Sequence, residues 1–327
     1  MMRRALDRVA VIVAAIDARK TIAASLAGFL SEVGELGEVV LVDASRDGTA
    51  SRAETLFPGL TVLRRPAGML APELWRDGLR ATDAPLVVFS TAAMMPRPGW
   101  LDALVSTLRS RNAAAVGGRI VPSDGLNWCD QAIYLNRYLN YWKLTSDASL
   151  TEPAGDNAIY RRESLAGLES LIDHGFWEVA VHRHMRARGE SLALCADSVV
   201  EFLGGTRMSR VLPQRFAHAR HYAGDRAGSW SITHRILRFA AAPLIPPVLL
   251  ARTIRGLSRQ GEHPANWVPA FLGLLPILGA WTIGEAIGTI AGPRDRREPR
   301  LRPLGHTHAP SAPSNASSRP DRVEARP

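Results

Sequence analysis

The stretch EVVLVDASRDGTA, residues 38–50, decides the fold. Val39–Val42 is an unbroken aliphatic run, short enough for a strand and apolar enough to be buried on both faces. Asp43 ends the run, and a polar turn leads into a helix predicted over Thr49–Phe57. Asp47 and Thr49 suit turn and helix-capping chemistry. Asp43 has a second reading. A carboxylate at the carboxyl end of a strand in an open α/β sheet faces the crevice where ligands bind.

Working outward, the same unit repeats. Val9–Ala15 reads as a strand, and Thr21–Val33 as a helix with Ile22, Leu26, Phe29 and Leu30 on one face. Leu60–Leu63, Leu86–Phe89 and Ala114–Ile120 read as strands; Glu73–Ala81 and Gly99–Arg109 read as helices. The alternation predicts a parallel, doubly wound α/β sheet. The basic start before Val9 imitates a leader peptide, but the apolar run is short and β-branched, which favours a first strand. Residues 123–150 are aromatic and Asn-rich, and their pattern places no element. AGDNAIYRRESL (154–165) reads as a strand entering a helix, GFWEVAVHRHMRARG (175–189) as a helix, and Leu192–Phe202 as a strand.

Hydrophobic residues make up 46% and charged residues 22%, so most of the chain has the means to build a core. The net charge of +9 favours anionic partners. Arginine supplies nearly all of the basic residues, and no aromatic–basic motif accompanies them, which argues against a nucleic-acid partner. Cys129 and Cys195 lie far apart and have neither metal-ligand spacing nor the look of a disulfide framework.

Polar residues gather at four further places. VVFSTAAMMPRPGW (87–100) carries a buried strand into a loop where ligand-binding carboxylates are expected, yet Ser90, Thr91, Ala92 and Ala93 stand there. Asp156 and Asn157 form either a turn or the polar wall of a pocket. Glu178 and His182 are four residues apart on a predicted helix and share a face, as a solvated pair, a general base or part of a metal site. Gln214, Arg215, His218 and Arg220 form either a basic exposed face or a clamp on phosphate oxygens.

Taken in order, VAVIVAAIDARKTIAASLAGF, VDASRDGT, PRPGWL, GDNAIYRRESL, FWEVAVHRHMRARGESL and QRFAHAR resemble the family-2 glycosyltransferases of the GT-A fold, over residues 8–222. The resemblance implies a Rossmann-like GT-A sheet and a nucleotide-sugar donor. It implies nucleotide-binding positions at Ala15 to Asp17 and at Asp43. It places the family's metal-binding Asp-X-Asp at Ser90-Thr91-Ala92, and the acceptor-deprotonating base at Glu178. Gln214, Arg215 and Arg220 are similar to the family's Gln/Arg-rich motif, with altered spacing. Arg76 joins Arg215 and Arg220 as a candidate to neutralise the leaving diphosphate, and Ser90, Thr91, Asp156 and Asn157 join the substrate-binding set. Three readings stay open for the missing carboxylates. Arginines replace the metal, Mg²⁺ or Mn²⁺ is held by other residues, or catalysis is lost and sugar-nucleotide or glycan binding remains.

After Arg238 the chain becomes apolar. FAAAPLIPPVLLA (239–251) is too short to cross a ~30 Å bilayer core, while residues 267–292 are long enough. Basic residues flank both sides: Arg252, Arg255 and Arg259 before, Arg294, Arg296 and Arg297 after. A spanning helix carries its positive excess on one side, so the pattern predicts a re-entrant or interfacial hairpin at the cytoplasmic membrane face. A packed helical subdomain is the other reading. The expected organisation is a transferase domain at 1–235, an apolar helical membrane-associating region at 236–292 and a disordered tail at 293–327. The expected partners are a nucleotide-sugar donor, a glycan or lipid-linked acceptor and a membrane surface.

Overall fold

The computed structural model describes residues 8–144 and 152–292; the tail expected to be disordered and its arginines lie outside the described residues. One eight-stranded sheet organises the protein. Its strands are β1 (Val9–Ala15), β2 (Gly37–Asp43), β3 (Thr61–Arg64), β4 (Leu86–Thr91), β5 (Met94–Pro96), β6 (Ala115–Pro122), β7 (Asn157–Arg161) and β8 (Leu192–Phe202). Their spatial order is β3-β2-β1-β4-β7-β6-β8-β5. The first four of these, β3 to β4, are parallel, as the alternation of strands and helices predicts.

The other half departs from the parallel expectation. β7 runs antiparallel to both β4 and β6, and β5 runs antiparallel to β8. The sheet is therefore mixed α/β. The cause is a chain reversal: β7 is inserted between β4 and β6 after a long excursion through residues 123–156, instead of following a single crossover helix. β5 lies inside the MMPRPG segment read as loop; three residues with a proline gave no strand signal.

Among the described residues, six α-helices precede Glu178 in the chain. α1 (Ile22–Val33), α2 (Thr49–Leu56), α3 (Ala71–Arg80) and α4 (Trp100–Ser110) cover the sheet. α1 buries Ile22, Leu26, Phe29 and Val33, while Leu30 is only half-buried. α3 comes close to β1 because residue 78 is glycine: a Cβ there would stand 2.3 Å from Ile12 Cγ2. α5 (Trp128–Arg137) and α6 (Glu169–Ile172) follow. α5 lies within the stretch that the sequence left unplaced. Asn127 caps it, its side chain accepting from the amides of Cys129 and Asp130.

α7 (Glu178–Ala187) leads to β8, and the 20-residue α8 (Met208–Ala227) crosses the carboxyl end of the sheet. α9 (Ile232–Ala241) and α10 (Ile245–Arg259) are separated by a 3-10 turn at Ala242–Leu244, where Pro243 breaks the apolar run. α11 (Val268–Ala291) packs along α8. Gly284 and Gly288 allow the approach, since a Cβ on either would stand 2.4 Å from a backbone oxygen of α8. Ile232–Arg259 and Pro264–Ala291 are long and apolar enough to cross a membrane. Ile232, Leu237 and Leu272 stay largely exposed on them.

Candidate active site

Two cavities meet at the carboxyl ends of β1 and β4. The smaller, ≈ 280 Å³, is walled by residues 16–18 after β1, Thr91 at the end of β4 with Ala92 and Ala93 beyond it, the loop Gly204–Arg207 and the inner face of α8. The larger, ≈ 780 Å³, holds Glu152, Asp156, Glu178 and Arg183 among aromatic walls that include Trp75, Tyr138, Tyr141, Trp177, Trp230 and Trp281. Ala71, Asn136, Arg137, Tyr138, Arg215 and His218 belong to both walls and form the throat between them.

The loops of the smaller cavity are held by their own side chains. Asp17 sits in the left-handed region at φ 52, unusual for a residue with a Cβ. Its Oδ1 accepts from the Arg46 amide at 2.8 Å, its amide donates to Ser45 Oγ at 2.7 Å, and its Oδ2 pairs with Arg210 Nε at 3.1 Å. These contacts compensate for the strain and tie the end of β1 to α8. Asp130 is buried and accepts from the Thr206 amide at 3.1 Å, which fixes the Gly204-Gly205 turn before α8.

Charge concentrates at the throat. Arg137 Nη2 donates to Asp156 Oδ2 at 2.7 Å. Burial works against the Arg137 charge, but Asp156 outweighs it and holds the guanidinium charged. Asp156 is 4% exposed, and its Oδ1 is buried without a hydrogen bond among the described residues. Glu178, the first residue of α7, stands beside it: a Cβ on Gly155 would lie 3.4 Å from Glu178 Cδ. Burial pushes the Glu178 carboxyl above its ordinary value, and the Asp156 charge adds to that push. Burial, and then the neighbouring Arg137, pull Arg215 down to about 10. Burial and these two arginines depress His218 strongly, so at neutral pH its imidazole is uncharged.

The structure sorts the expected residues. Asp17, Thr91, Gln214 and Arg215 line the smaller cavity, and Asp156 and Glu178 the larger. Ala15 is buried in β1 next to that wall. Ser90 is turned away from both cavities: its Oγ donates to the Asp156 carbonyl, and its own carbonyl accepts from Trp75 Nε1. Asn157 is committed to the fold, accepting from Trp100 Nε1 at 2.7 Å and donating to the Arg119 carbonyl at 2.9 Å. Arg76 is paired with Asp77 and donates to the Asp173 carbonyl, away from the cavities. Arg220 lines neither wall; it lies on α8 where Gly288 approaches its backbone. Asp43 also lies outside both walls and accepts from Ser45 Oγ at 2.5 Å. Burial, opposed by that hydrogen bond, raises its carboxyl above the ordinary value.

His182 does not pair with Glu178. It is fully buried between Tyr160 Oη at 2.8 Å and Glu152 Oε2 at 2.7 Å, and Glu152 also binds Arg186. The position that the sequence assigns to a divalent cation holds few donors. With Ser90 Oγ committed and Ala92 apolar, Thr91 offers one neutral hydroxyl. Mg²⁺ and Mn²⁺ need several oxygens, carboxylates among them, so these residues do not fit either ion. Among the described residues, no three His, Cys, Asp or Glu side chains converge as a metal site.

Arg137, Tyr138 and Glu152 were not anticipated. A signal existed for the first two: Asn127 as a cap, followed by apolar Cys129, Ile133 and Leu135, marks a helix ending near Arg137.

The description "Glycosyl transferase family 2" belongs to the protein-family model that residues 10–168 match. A mannosyltransferase from Pyrobaculum calidifontis, solved with GDP-Man and Mn²⁺, is similar at 19% identity, over 87% of this chain and 86% of that one, with a TM-score of 0.49. Glucosyl-3-phosphoglycerate synthase from Mycobacterium tuberculosis, solved with Mn²⁺, UDP and phosphoglyceric acid, is similar at 18% identity, over 65% of this chain and 76% of that one, with a TM-score of 0.45. No curated protein matches the chain.

Proposed function

We propose that this chain, which belongs to glycosyl transferase family 2 through residues 10–168, moves a hexosyl group from a nucleotide-sugar to a glycan or lipid-linked acceptor at a membrane face. The observation that carries the proposal is Glu178. Its carboxyl stands beside Asp156 in the larger cavity, across a throat from a second cavity at the carboxyl end of the parallel strands. That edge is where an α/β sheet takes a nucleotide. The nucleotide occupies the smaller cavity and the acceptor the larger.

In the reaction, Glu178 accepts the proton of the acceptor hydroxyl while the oxygen attacks the anomeric carbon. The carbon–oxygen bond to the diphosphate breaks, and its electron pair leaves with the phosphate oxygen. A carboxyl raised by burial is a stronger base than an exposed one. The unpartnered Oδ1 of Asp156 accepts from a hydroxyl of the sugar.

The membrane part of the proposal rests on composition and exposure. Ile232, Ile236 and Leu237 lie exposed on α9, and Arg235 and Arg238 share that helix. Such a helix suits the interface of an anionic bilayer. Trp230, Leu249 and Trp281, from this same C-terminal region, wall the larger cavity, so an acceptor anchored in lipid has a direct way in.

A screen of UDP-, GDP- and dTDP-sugars with the full chain tests the transfer; one donor turned over by the wild type and not by Glu178→Gln is expected. If no donor is turned over, the reading as a sugar-nucleotide or glycan-binding protein replaces it. Leu237→Glu should reduce sedimentation with phosphatidylglycerol vesicles. It leaves the fold intact, because Leu237 is 70% exposed. Unchanged sedimentation would move the interface off α9.

A further inference from the structure

The throat between the cavities poses a problem of charge. The two guanidinium groups of Arg137 and Arg215 come from different helices, α5 and α8, and both face this one passage. One carboxylate, Asp156, pairs with Arg137. Arg215 has no carboxylate at ion-pairing distance among the described residues; its guanidinium lies 5.9 Å from the Trp281 ring. Lys20, Arg207 and Arg210 add three more cations to the smaller cavity, against Asp17 and Asp47, and Arg210 is spent on Asp17. Burying two like charges side by side is unfavourable unless an anion joins them. Burial and the Arg137 charge both act against the charged form of Arg215.

We infer that Arg137 and Arg215 form a diphosphate clamp at the throat, in place of the divalent cation that the 90–92 segment does not fit. The inference rests on the transfer reading. If the nucleotide fills one cavity and the acceptor the other, the bond that breaks lies between them, and the diphosphate must occupy the throat. As that bond breaks, the electron pair stays on the phosphate oxygen and the negative charge of the diphosphate rises by one. Two guanidinium forks supply donors where this charge develops. Asp156 is a positioning residue here. It fixes the Arg137 fork by one oxygen, which a neutral amide at the same place would do less firmly.

The test is binding, which needs no turnover. Calorimetry on the full chain in EDTA, with UDP, GDP, dTDP and inorganic pyrophosphate as probes, should show binding of at least one nucleoside diphosphate. Its affinity should stay within about twofold when Mn²⁺ replaces EDTA, since a cation bridge would change it far more. Arg137→Ala and Arg215→Ala should each lose at least ~10-fold, the scale expected for truncating a buried charge-assisted contact. Arg137→Lys, which keeps the charge and removes the fork, should lose less than Arg137→Ala, and this graded pair separates clamping from misfolding. Arg80→Ala, on the far side of α3 with Asp173, should bind like the wild type. Binding that requires Mn²⁺, or that survives both alanine substitutions unchanged, overturns the clamp even if transfer occurs. Metal-free binding lost in both variants supports the clamp even where no acceptor is turned over, so this result separates from a failure of the transfer reading.

Discussion

The two cavities are built by different means. The smaller one takes its floor from strand ends and loops, with backbone and small side chains at Ala14, Thr91, Ala92 and Ala93, and its charge is mainly basic. The larger one is walled by helices and aromatic rings, and its lining carries the carboxylates Glu152, Asp156 and Glu178 together with Asp225. Strands position and helices charge. In the proposed reading the sheet edge fixes where a ligand sits, while α5, α7 and α8 carry Arg137, Glu178 and Arg215 to it. On the proposed clamp, the missing carboxylates at residues 90–92 correspond to a shift of electrostatic duty from β4 to the helices around the throat.

The sharpest way to break this contrast is to disarm the larger cavity and leave the smaller one intact. Glu178→Gln should lower turnover by ~10²–10⁴-fold, the usual worth of a positioned base, and leave nucleotide affinity unchanged by calorimetry. A parallel loss of affinity would mean that the two cavities are not separable. The pH profile adds a second readout. Because burial and Asp156 raise the Glu178 carboxyl, the acid limb of kcat/KM should lie above its ordinary value of 4.5.

A comparable effect on stability is expected where the two cavities share a structural post. Trp75 is 1% exposed, packs on Phe89 of β4, and donates its indole N–H to the Ser90 carbonyl at 2.8 Å. It also walls the larger cavity. Trp75→Ala should cost ~3–5 kcal/mol in denaturant unfolding. A loss below 1 kcal/mol would show that the end of β4 is held in some other way.

Gly288→Val should cost ~1–3 kcal/mol through overpacking. The added side chain meets the Arg220 carbonyl, and α8 must shift away from α11. Because α8 carries Arg215 and Gln214, donor affinity should fall with stability. A stability loss without an affinity loss would detach the apolar helices from the site.

Much of this was legible in the sequence, and the misses have physical causes. β1, β2 and β4 were readable because buried parallel strands are continuous apolar runs. Glu178 stood out as half of a polar pair on a predicted helix, with its role implied by the family resemblance; its expected partner His182 instead packs between Tyr160 and Glu152. The antiparallel insertion of β7 was not, since pairing direction depends on chain path and leaves no period in the local pattern. Asn157 and Ser90 were misplaced for a related reason. Buried amides and hydroxyls look like ligand contacts in sequence, and only the partners Trp100, Arg119 and Asp156 reveal that they are structural. Arg137 was hidden because its helix stops at that residue, while Tyr134, Tyr138 and Trp142 continue at helical spacing past its end, Tyr134 packing on the other two.

A smaller effect is expected for stability against pH. The folded-state pKa of Glu178 lies above its unfolded value, so the group binds its proton more tightly in the folded protein. Its contribution is full at pH values below 4.5 and is lost as pH rises through the raised value. Glu178→Gln, which never ionises, should therefore flatten the decline of stability over that window. A wild-type curve already flat there would mean that the carboxyl is not held up by burial.

The smallest expected effect separates two aspartates at the sheet edge. Asp17 is in the wall of the smaller cavity, while Asp43 is one step removed from it. Asp43 accepts from Ser45 Oγ, and Ser45 Oγ in turn accepts from the Asp17 amide. An amide at position 43 can still accept from Ser45, and it avoids the unfavourable burial of a charge that raises the Asp43 carboxyl. Asp43→Asn should thus change donor affinity by no more than about twofold, well inside the ~1 kcal/mol of a typical net hydrogen bond. Asp17→Asn should cost more, because it weakens the ion pair to Arg210 and the left-handed turn that the carboxylate braces. If the order is reversed, with Asp43→Asn the more damaging in calorimetry, the nucleotide reaches past Asp17 to the end of β2. The smaller cavity would then extend further along the sheet edge than its walls indicate.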